Sequence, residues 1–289
     1  MRVVRSKAEL RDALRPARRE EQTIGLVPTM GYLHDGHLSL LRAARTRCDV
    51  VVMSLFVNPA QFGQNEDLAT YPRDEARDLE LAASAGVDVV FAPPIEEVYP
   101  NGFGTAVEVG AGLTDVLDGA PERRGPEHFR GVTTVVAKLF NLIEPDVAFF
   151  GQKDAQQAIV IWRMARDLDF PVEIEVLPTV REPDGLAVSS RNAYLAPADR
   201  ERAAALSRAL RAAEDVAGSG EERIEPALEA ARAELERAGI EAEYLEARDP
   251  QSMTAVETFN GRPVLIAVAA RVGAARLIDN TLIHEGSNR

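Results

Sequence analysis

Five short, apolar, β-branched runs separated by segments of helical periodicity constrain this chain more than any other feature. Thr23 to Val27, Asp49 to Phe56, Asp88 to Phe91, Asp146 to Phe150 and Val172 to Val176 are apolar nearly throughout, as strands covered on both faces are. Leu38 to Arg47, Arg73 to Ala85, Gly131 to Ile143 and Asp154 to Leu168 carry apolar residues at helical spacing, with Ile159, Trp162 and Ala165 on one face of the last. Strand and helix in alternation predict an α/β fold with a doubly wound, mainly parallel, Rossmann-like sheet, which binds ligands at the carboxyl ends of its strands.

Beyond Pro178 the pattern changes. A polar, turn-rich stretch from Val180 to Leu195 leads into a helical pattern entered at Pro197, then Gly218-Ser219-Gly220, a second helical pattern stopped by Gly239, and strand-like runs at Ala242 to Ala247, Pro263 to Ala269 and Arg276 to Ile283. Two domains are therefore expected: residues 1–179, carrying the Rossmann-like sheet, and residues 180–289, a smaller C-terminal α+β domain joined by a short hinge. The irregular stretch from Pro93 to Arg130 fits an active-site rim or an interface.

At 289 residues, 46% hydrophobic and 27% charged, the chain is ordinary globular material. It holds no apolar run of the roughly 20 residues needed to span a bilayer, and its first residues lead into charged ones instead of a signal-peptide core, so a soluble, cytoplasmic protein is expected. The single Cys48 excludes an internal disulfide and reads as a small buried hydrophobe. A net charge of −13 repels nucleic acid and anionic membranes, so an anionic substrate needs a local positive pocket. Only Lys7, Lys138 and Lys153 are lysines among 33 basic residues, which makes each of them worth following.

None of the three lysines stands in a Gly-Lys-Ser/Thr context, which removes a P-loop, and Gly102-Phe103-Gly104 lacks both the third glycine and a preceding strand. The run from Pro28 to His37 lies between a predicted strand and a predicted helix, where unpaired N–H groups and the helix dipole favour an anion. Three readings compete for His34-Asp35-Gly36-His37: a surface helix start, a zinc pair and a phosphate site. Zinc lacks a plain third ligand, and phosphate leads, with Gly36 allowing close approach, Asp35 capping the helix and each imidazole able to donate. Gly151-Gln152-Lys153-Asp154 follows another strand, and on spacing alone a capped helix start competes evenly with Lys153 on a phosphate. The hydroxyl-dense loop ending Ser189-Ser190-Arg191-Asn192 reads alone as a polar hinge, and beside the histidine turn as a second phosphate clamp.

Six motifs in order then resemble the pantoate/beta-alanine ligase family, a class I nucleotidyltransferase-like group. They are Pro28-Thr29-Met30-Gly31, Phe56-Val57-Asn58-Pro59-x-Gln61-Phe62, Tyr71-Pro72-Arg73, His128-Phe129-x-Gly131-Val132, the stretch from Phe149 to Gln157, and Ser189-Ser190-Arg191-Asn192. The resemblance implies an ATP- and Mg2+-dependent ligase that condenses pantoate with beta-alanine through pantoyl adenylate, releasing AMP and pyrophosphate, and a homodimer. It assigns His37, His34, Lys153 and Arg191 to catalysis. Met30, Gly31, Tyr32 and Leu33, with Asp35 and Gly36 between the histidines, would hold ATP; so would Gly151, Gln152, Lys153 and Asp154. Val180 and Val188, with Ser189, Ser190 and Arg191, would close over the nucleotide. Gln61 and Gln157 would bind pantoate, and Gln61 also beta-alanine. Asn58 and Tyr71 would sit nearby, His128 at the triphosphate end. Val188 replaces a common Met, and Arg77 replaces one member of a common acidic pair, leaving Asp78 as the candidate metal contact. The alternatives are another adenylate-forming or nucleotidyl transferase of this fold and a non-catalytic ATP-binding module.

Overall fold

The computed structural model describes residues 1–63, 68–110 and 112–284. They fall into two compact units, one of residues 1–152 and 156–178, the other of residues 153–155 and the chain from Thr179.

In the first unit β1 (Arg2–Val4) and α1 (Lys7–Arg19) come ahead of the earliest strand that periodicity predicts. Serine at position 6 starts α1: its side chain accepts from the Glu9 N–H at 3.2 Å while the Glu9 carboxylate accepts from the Ser6 N–H at 3.0 Å. Then follow β2 (Ile24–Thr29), α2 (Asp35–Arg47), β3 (Val50–Leu55), α3 (Glu75–Ser84), β4 (Val89–Phe91), α4 (Ile95–Val98), α5 (Pro126–Ile143), β5 (Val147–Gly151), α6 (Ala155–Asp167) and β6 (Glu173–Leu177). All six strands run parallel in the order β1-β4-β3-β2-β5-β6. Leu26, Val27, Val52, Met53 and Phe149 are fully buried, as expected for strands covered on both faces. The edge strand β6 departs from that expectation: Glu173 and Glu175 pair with Arg47 of α2 and Val176 is exposed. Cys48 is buried, and burial pushes its thiol up, in keeping with a packing role.

The strand order locates the binding crevice. From β2 the chain lays down β3 and β4 on one side, then returns through α5 to put β5 on the other side of β2. The register pairs Gly25 of β2 with Val51 of β3 and also with Val147 of β5. Successive connections leave β2 and β5 in opposite directions, so a crevice opens beyond their carboxyl ends, where the Met30–His37 turn begins and Gly151 ends its strand.

The second unit contains α7 (Pro197–Ala203), α8 (Ala205–Gly218), α9 (Ile224–Arg237), β7 (Ala242–Arg248), β8 (Val264–Val272) and β9 (Ala275–Ile283). The strands form an antiparallel sheet in the order β7-β8-β9. Leu206, Leu210, Ile224, Leu235, Ile266 and Val268 belong to its apolar core. The single helix read from Pro197 is two, separated at Ala204.

Candidate active site

After β2 the chain makes a tight turn with Gly31 at φ +87° and Tyr32 at φ +52°, two successive residues in the left-handed region. A methyl group on Gly31 would lie 2.8 Å from Leu55 Cδ1 and 2.9 Å from Asp78 Oδ2, so glycine is required there by space as well as by φ. His34, rather than the expected Asp35, is the N-cap of α2, in extended conformation at φ −138°. The first helical bond runs from the Leu38 N–H to the His34 carbonyl, which puts the N–H groups of Asp35, Gly36 and His37 ahead of the ladder. The His34 and His37 rings stack at 4.0 Å, and the His34 N–H donates to His37 Nδ1 at 3.4 Å. His37 Nδ1 is the accepting ring nitrogen of this bond.

Two residues of α3 grip this turn from behind. Asp78, 1% exposed, accepts from the Tyr32 N–H at 2.8 Å and the Leu33 N–H at 2.7 Å, one oxygen for each. Arg77 donates to the Leu33 carbonyl at 2.9 Å and lies 5.6 Å from the centre of the Tyr32 ring. Asp78, expected as a metal contact, thus has both oxygens committed to backbone donors, and no group of three His, Cys, Asp or Glu side chains suited to a metal occurs among the described residues. Among the described residues the side chains do not form a protein-held Mg2+ site.

Beyond β3 the Asn58–Gln61 segment forms a buried amide network. Asn58 Oδ1 accepts from the Ala60 N–H at 3.2 Å and the Tyr99 hydroxyl at 2.7 Å, while Nδ2 donates to the Gly131 carbonyl and to Gln61 Oε1, both at 3.1 Å. Because Ala60 N–H can only donate and the Gly131 carbonyl only accept, the Asn58 amide has one orientation. Gln61 Oε1 is therefore the acceptor for Asn58, and Gln61 Nε2 points the other way, 2.9 Å from Met30 Sδ at the start of the turn. Gln61 accordingly presents N–H donors. His128, expected near the triphosphate, is buried and has Nδ1 2.7 Å from the Gln61 carbonyl oxygen. Tyr71 is buried with its ring edge-on to Phe62. Gln157 is half-buried on α6, whereas its neighbour Gln156 pins the 113–118 loop through Leu113, Val116 and Asp118.

In the second unit Lys153 Nζ lies 3.6 Å from Asp154 Oδ1, and the Lys153 carbonyl accepts from Asn280 Nδ2 of β9 at 2.9 Å. Arg181 binds the buried Asp279 through two bonds of 2.6 and 3.0 Å. Burial alone would lower the Arg181 pKa, but this pairing outweighs it and the pKa is raised. So anchored, residues 180–188 form a closed loop in which the Val188 N–H donates to the Val180 carbonyl. Ser189 caps the 3-10 turn Ser190–Tyr194 by accepting from the Arg191 N–H at 3.3 Å. Val188, where the resemblance has methionine, joins this loop through its backbone N–H.

Residues 2–282 match the family model for pantoate-beta-alanine ligase. The chain belongs to the pantoate-beta-alanine ligase family. Pantothenate synthetase of Moorella thermoacetica is 54% identical over 98% of this chain and 99% of its own length, and pantothenate synthetase 1 of Bradyrhizobium diazoefficiens is 54% identical over 98% of each. The crystal structure of pantothenate synthetase from Thermus thermophilus superposes with a TM-score of 0.90 at 49% identity, covering 97% of this chain and 99% of that one. A pantoate-beta-alanine ligase from Francisella tularensis, solved in complex with beta-gamma ATP and beta-alanine, gives 0.80 at 34% identity, covering 98% and 97%. The doubly wound sheet with its small antiparallel companion is thus the fold of known pantoate-beta-alanine ligases.

The contacts that support this family's motifs are invisible to motif reading. Tyr99 lies 41 residues from Asn58. The Arg77 contact with Leu33 spans 44 residues and Gly131 meets Asn58 across 73. Gly131 alone left a signal, as a glycine inside a strong helical pattern, which points to a close approach. A methyl group there would lie 2.1 Å from the Ala60 carbonyl oxygen.

Proposed function

We propose that the chain is an ATP-dependent ligase joining pantoate to beta-alanine. In the first step a pantoate carboxylate oxygen attacks the α-phosphorus of ATP and pyrophosphate leaves. In the second the beta-alanine amine attacks the acyl carbon, loses a proton, and AMP leaves with the transferred oxygen. Both steps need anions held in line and developing charge met by fixed donors, and neither requires a covalent nucleophile from the protein. The observation that carries this reading is the whole-length family match, with the His34–His37 turn intact beyond β2.

In this reading Met30 to His37 hold ATP, with His37 donating to phosphate oxygens and His34 stacked beside it. Gln61, as an N–H donor, takes the carboxylate or hydroxyl oxygens of pantoate and the carboxylate of beta-alanine, and Gln157 serves pantoate. Lys153, Asp154, Val180, Val188, Ser189, Ser190 and Arg191 are assigned to the nucleotide, with Gly151 and Gln152. Asn58, Tyr71 and His128 support Gln61 and its surroundings. Residues 1–179 would form the ATP- and pantoate-binding domain and residues 180–289 a smaller lid. Mg2+ enters with ATP, as the metal complex of the substrate. A cytoplasmic setting belongs to the same reading; among the described residues no helix is long and apolar enough to cross a membrane. A homodimer completes it, and sedimentation should give twice the 31.4 kDa chain mass.

The test is a coupled assay. AMP and pyrophosphate release should require pantoate, beta-alanine and ATP together for sustained turnover. ATP binding without such turnover would favour the non-catalytic module.

A further inference from the structure

We propose that Arg77 and Asp78 form a clamp that sets the ATP-binding turn, with Asp78 a positioning residue and not a magnesium ligand. The inference rests on the reading of the Met30–His37 turn as the phosphate site.

The clamp has an acceptor jaw and a donor jaw. Asp78 gives one oxygen to the Tyr32 N–H and the other to the Leu33 N–H, while Arg77, its neighbour in sequence, donates to the Leu33 carbonyl. The grip falls on the residues that need it, because Gly31 and Tyr32 both have positive φ, a conformation that persists only where its surroundings enforce it. Immediately downstream stand His34 and His37. Slack in the turn would therefore move both imidazoles relative to the strand that carries them, and misplacement of a donor by about 1 Å costs on the order of 100-fold in rate.

The same geometry argues against a metal at Asp78. Mg2+ demands near-octahedral coordination and usually keeps several waters, whereas this carboxylate is 1% exposed and gives each oxygen to a backbone donor at 2.7–2.8 Å. Arg77 also puts a permanent positive charge on the same turn, at the Leu33 carbonyl, which disfavours a dication there.

The experiment uses the full chain with Asp78→Asn, Arg77→Ala and His37→Ala, measuring adenylate formation against ATP and against Mg2+, the KM for pantoate and the melting temperature. Asp78→Asn keeps size but turns an NH2 toward one of the two N–H donors. It should slow adenylation about tenfold or more, with pantoate KM changed less than about twofold, and the Mg2+ concentration for half-maximal rate unchanged. Arg77→Ala, at an exposed side chain, should fold normally and show a smaller loss, roughly two- to tenfold, of the same kind. It decides the matter if Asp78→Asn does not fold. Recovery of Asp78→Asn at raised Mg2+, or wild-type adenylation in Arg77→Ala, would overturn the clamp. If His37→Ala is also at wild-type rate, the phosphate-site reading has failed; if His37→Ala is slow while the clamp variants are not, only the clamp has.

Discussion

A single hydroxyl group helps decide which end of Gln61 would face pantoate in the proposed reading. Tyr99 donates to Asn58 Oδ1, which lets Nδ2 hold Gln61 Oε1 and turns Gln61 Nε2 toward Met30 Sδ. Tyr99→Phe keeps the ring between Phe56, Phe103 and Lys138 but leaves a buried acceptor short of a partner. Loss of one such bond weakens the arrangement by about 0.5–1.5 kcal/mol, so the KM for pantoate should rise roughly two- to tenfold with the KM for ATP unchanged. Equal changes in both constants would contradict this. Burial pushes the Tyr99 hydroxyl up to about 12, against the lowering effect of its bond to Asn58. The folded state thus keeps a proton that the unfolded chain loses near 10, and the resulting stability is full below about 10 and lost between about 10 and 12. The melting-temperature difference between wild type and Tyr99→Phe should stay constant from pH 7 to about 9 and shrink above about 10. Lys138, 5.9 Å from the Tyr99 ring centre and with its pKa lowered by burial, is present in both proteins, so the difference between the two isolates Tyr99. Of the residues that touch ligand in the proposed reading, most stand in motifs and were legible. Their supports were less so: Tyr99 was not singled out, and Arg77 and Asp78 were noted without the contacts they make; all three act 41 to 46 residues away, and nothing local in the sequence encodes such a distance.

Among the elements, the meeting of α5 with the 3-10 turn Pro59–Gln61 carries the most consequence, because there backbone touches backbone. Gly131→Ala places a methyl group 2.1 Å from the Ala60 carbonyl oxygen, and the turn bearing Gln61 must shift to admit it. Overpacking of this kind costs about 1–3 kcal/mol, which a lowered denaturant midpoint would register, and pantoate KM should rise with it. Unchanged stability and KM would show that the approach is looser than described. Element type was legible from β2 to β6 and in the C-terminal helices and strands, whereas the 13-residue α1 was not read. Boundaries and short pieces were less legible. α5 begins at Pro126, five residues before the apolar pattern becomes regular, although Gly125-Pro126 is a helix start in its own right. β1 has three residues and two of them are exposed, too little for an apolar run, and α1 went unread although Ser6-x-x-Glu9 has the capping-box pattern. β6 was legible as a strand, but its glutamates, paired to Arg47, mark it as an edge.

For the whole molecule, strand order is the property that periodicity does not supply. The alternation of elements predicts a parallel sheet, but not that β5 lies beside β2, and this adjacency is what opens a crevice beyond the histidine turn. Composition contributed the complementary constraint: with a net charge of −13, binding of ATP and pantoate must depend on a few well-placed donors instead of a positive surface. The central claim is that a pantoate oxygen attacks the α-phosphorus of ATP, and isotope transfer tests it most directly. Pantoate labelled with 18O in its carboxylate, turned over with ATP and beta-alanine, should deliver one labelled oxygen to the phosphate of AMP and leave one in the amide product. Unlabelled AMP, or ADP as the nucleotide product, would contradict the account.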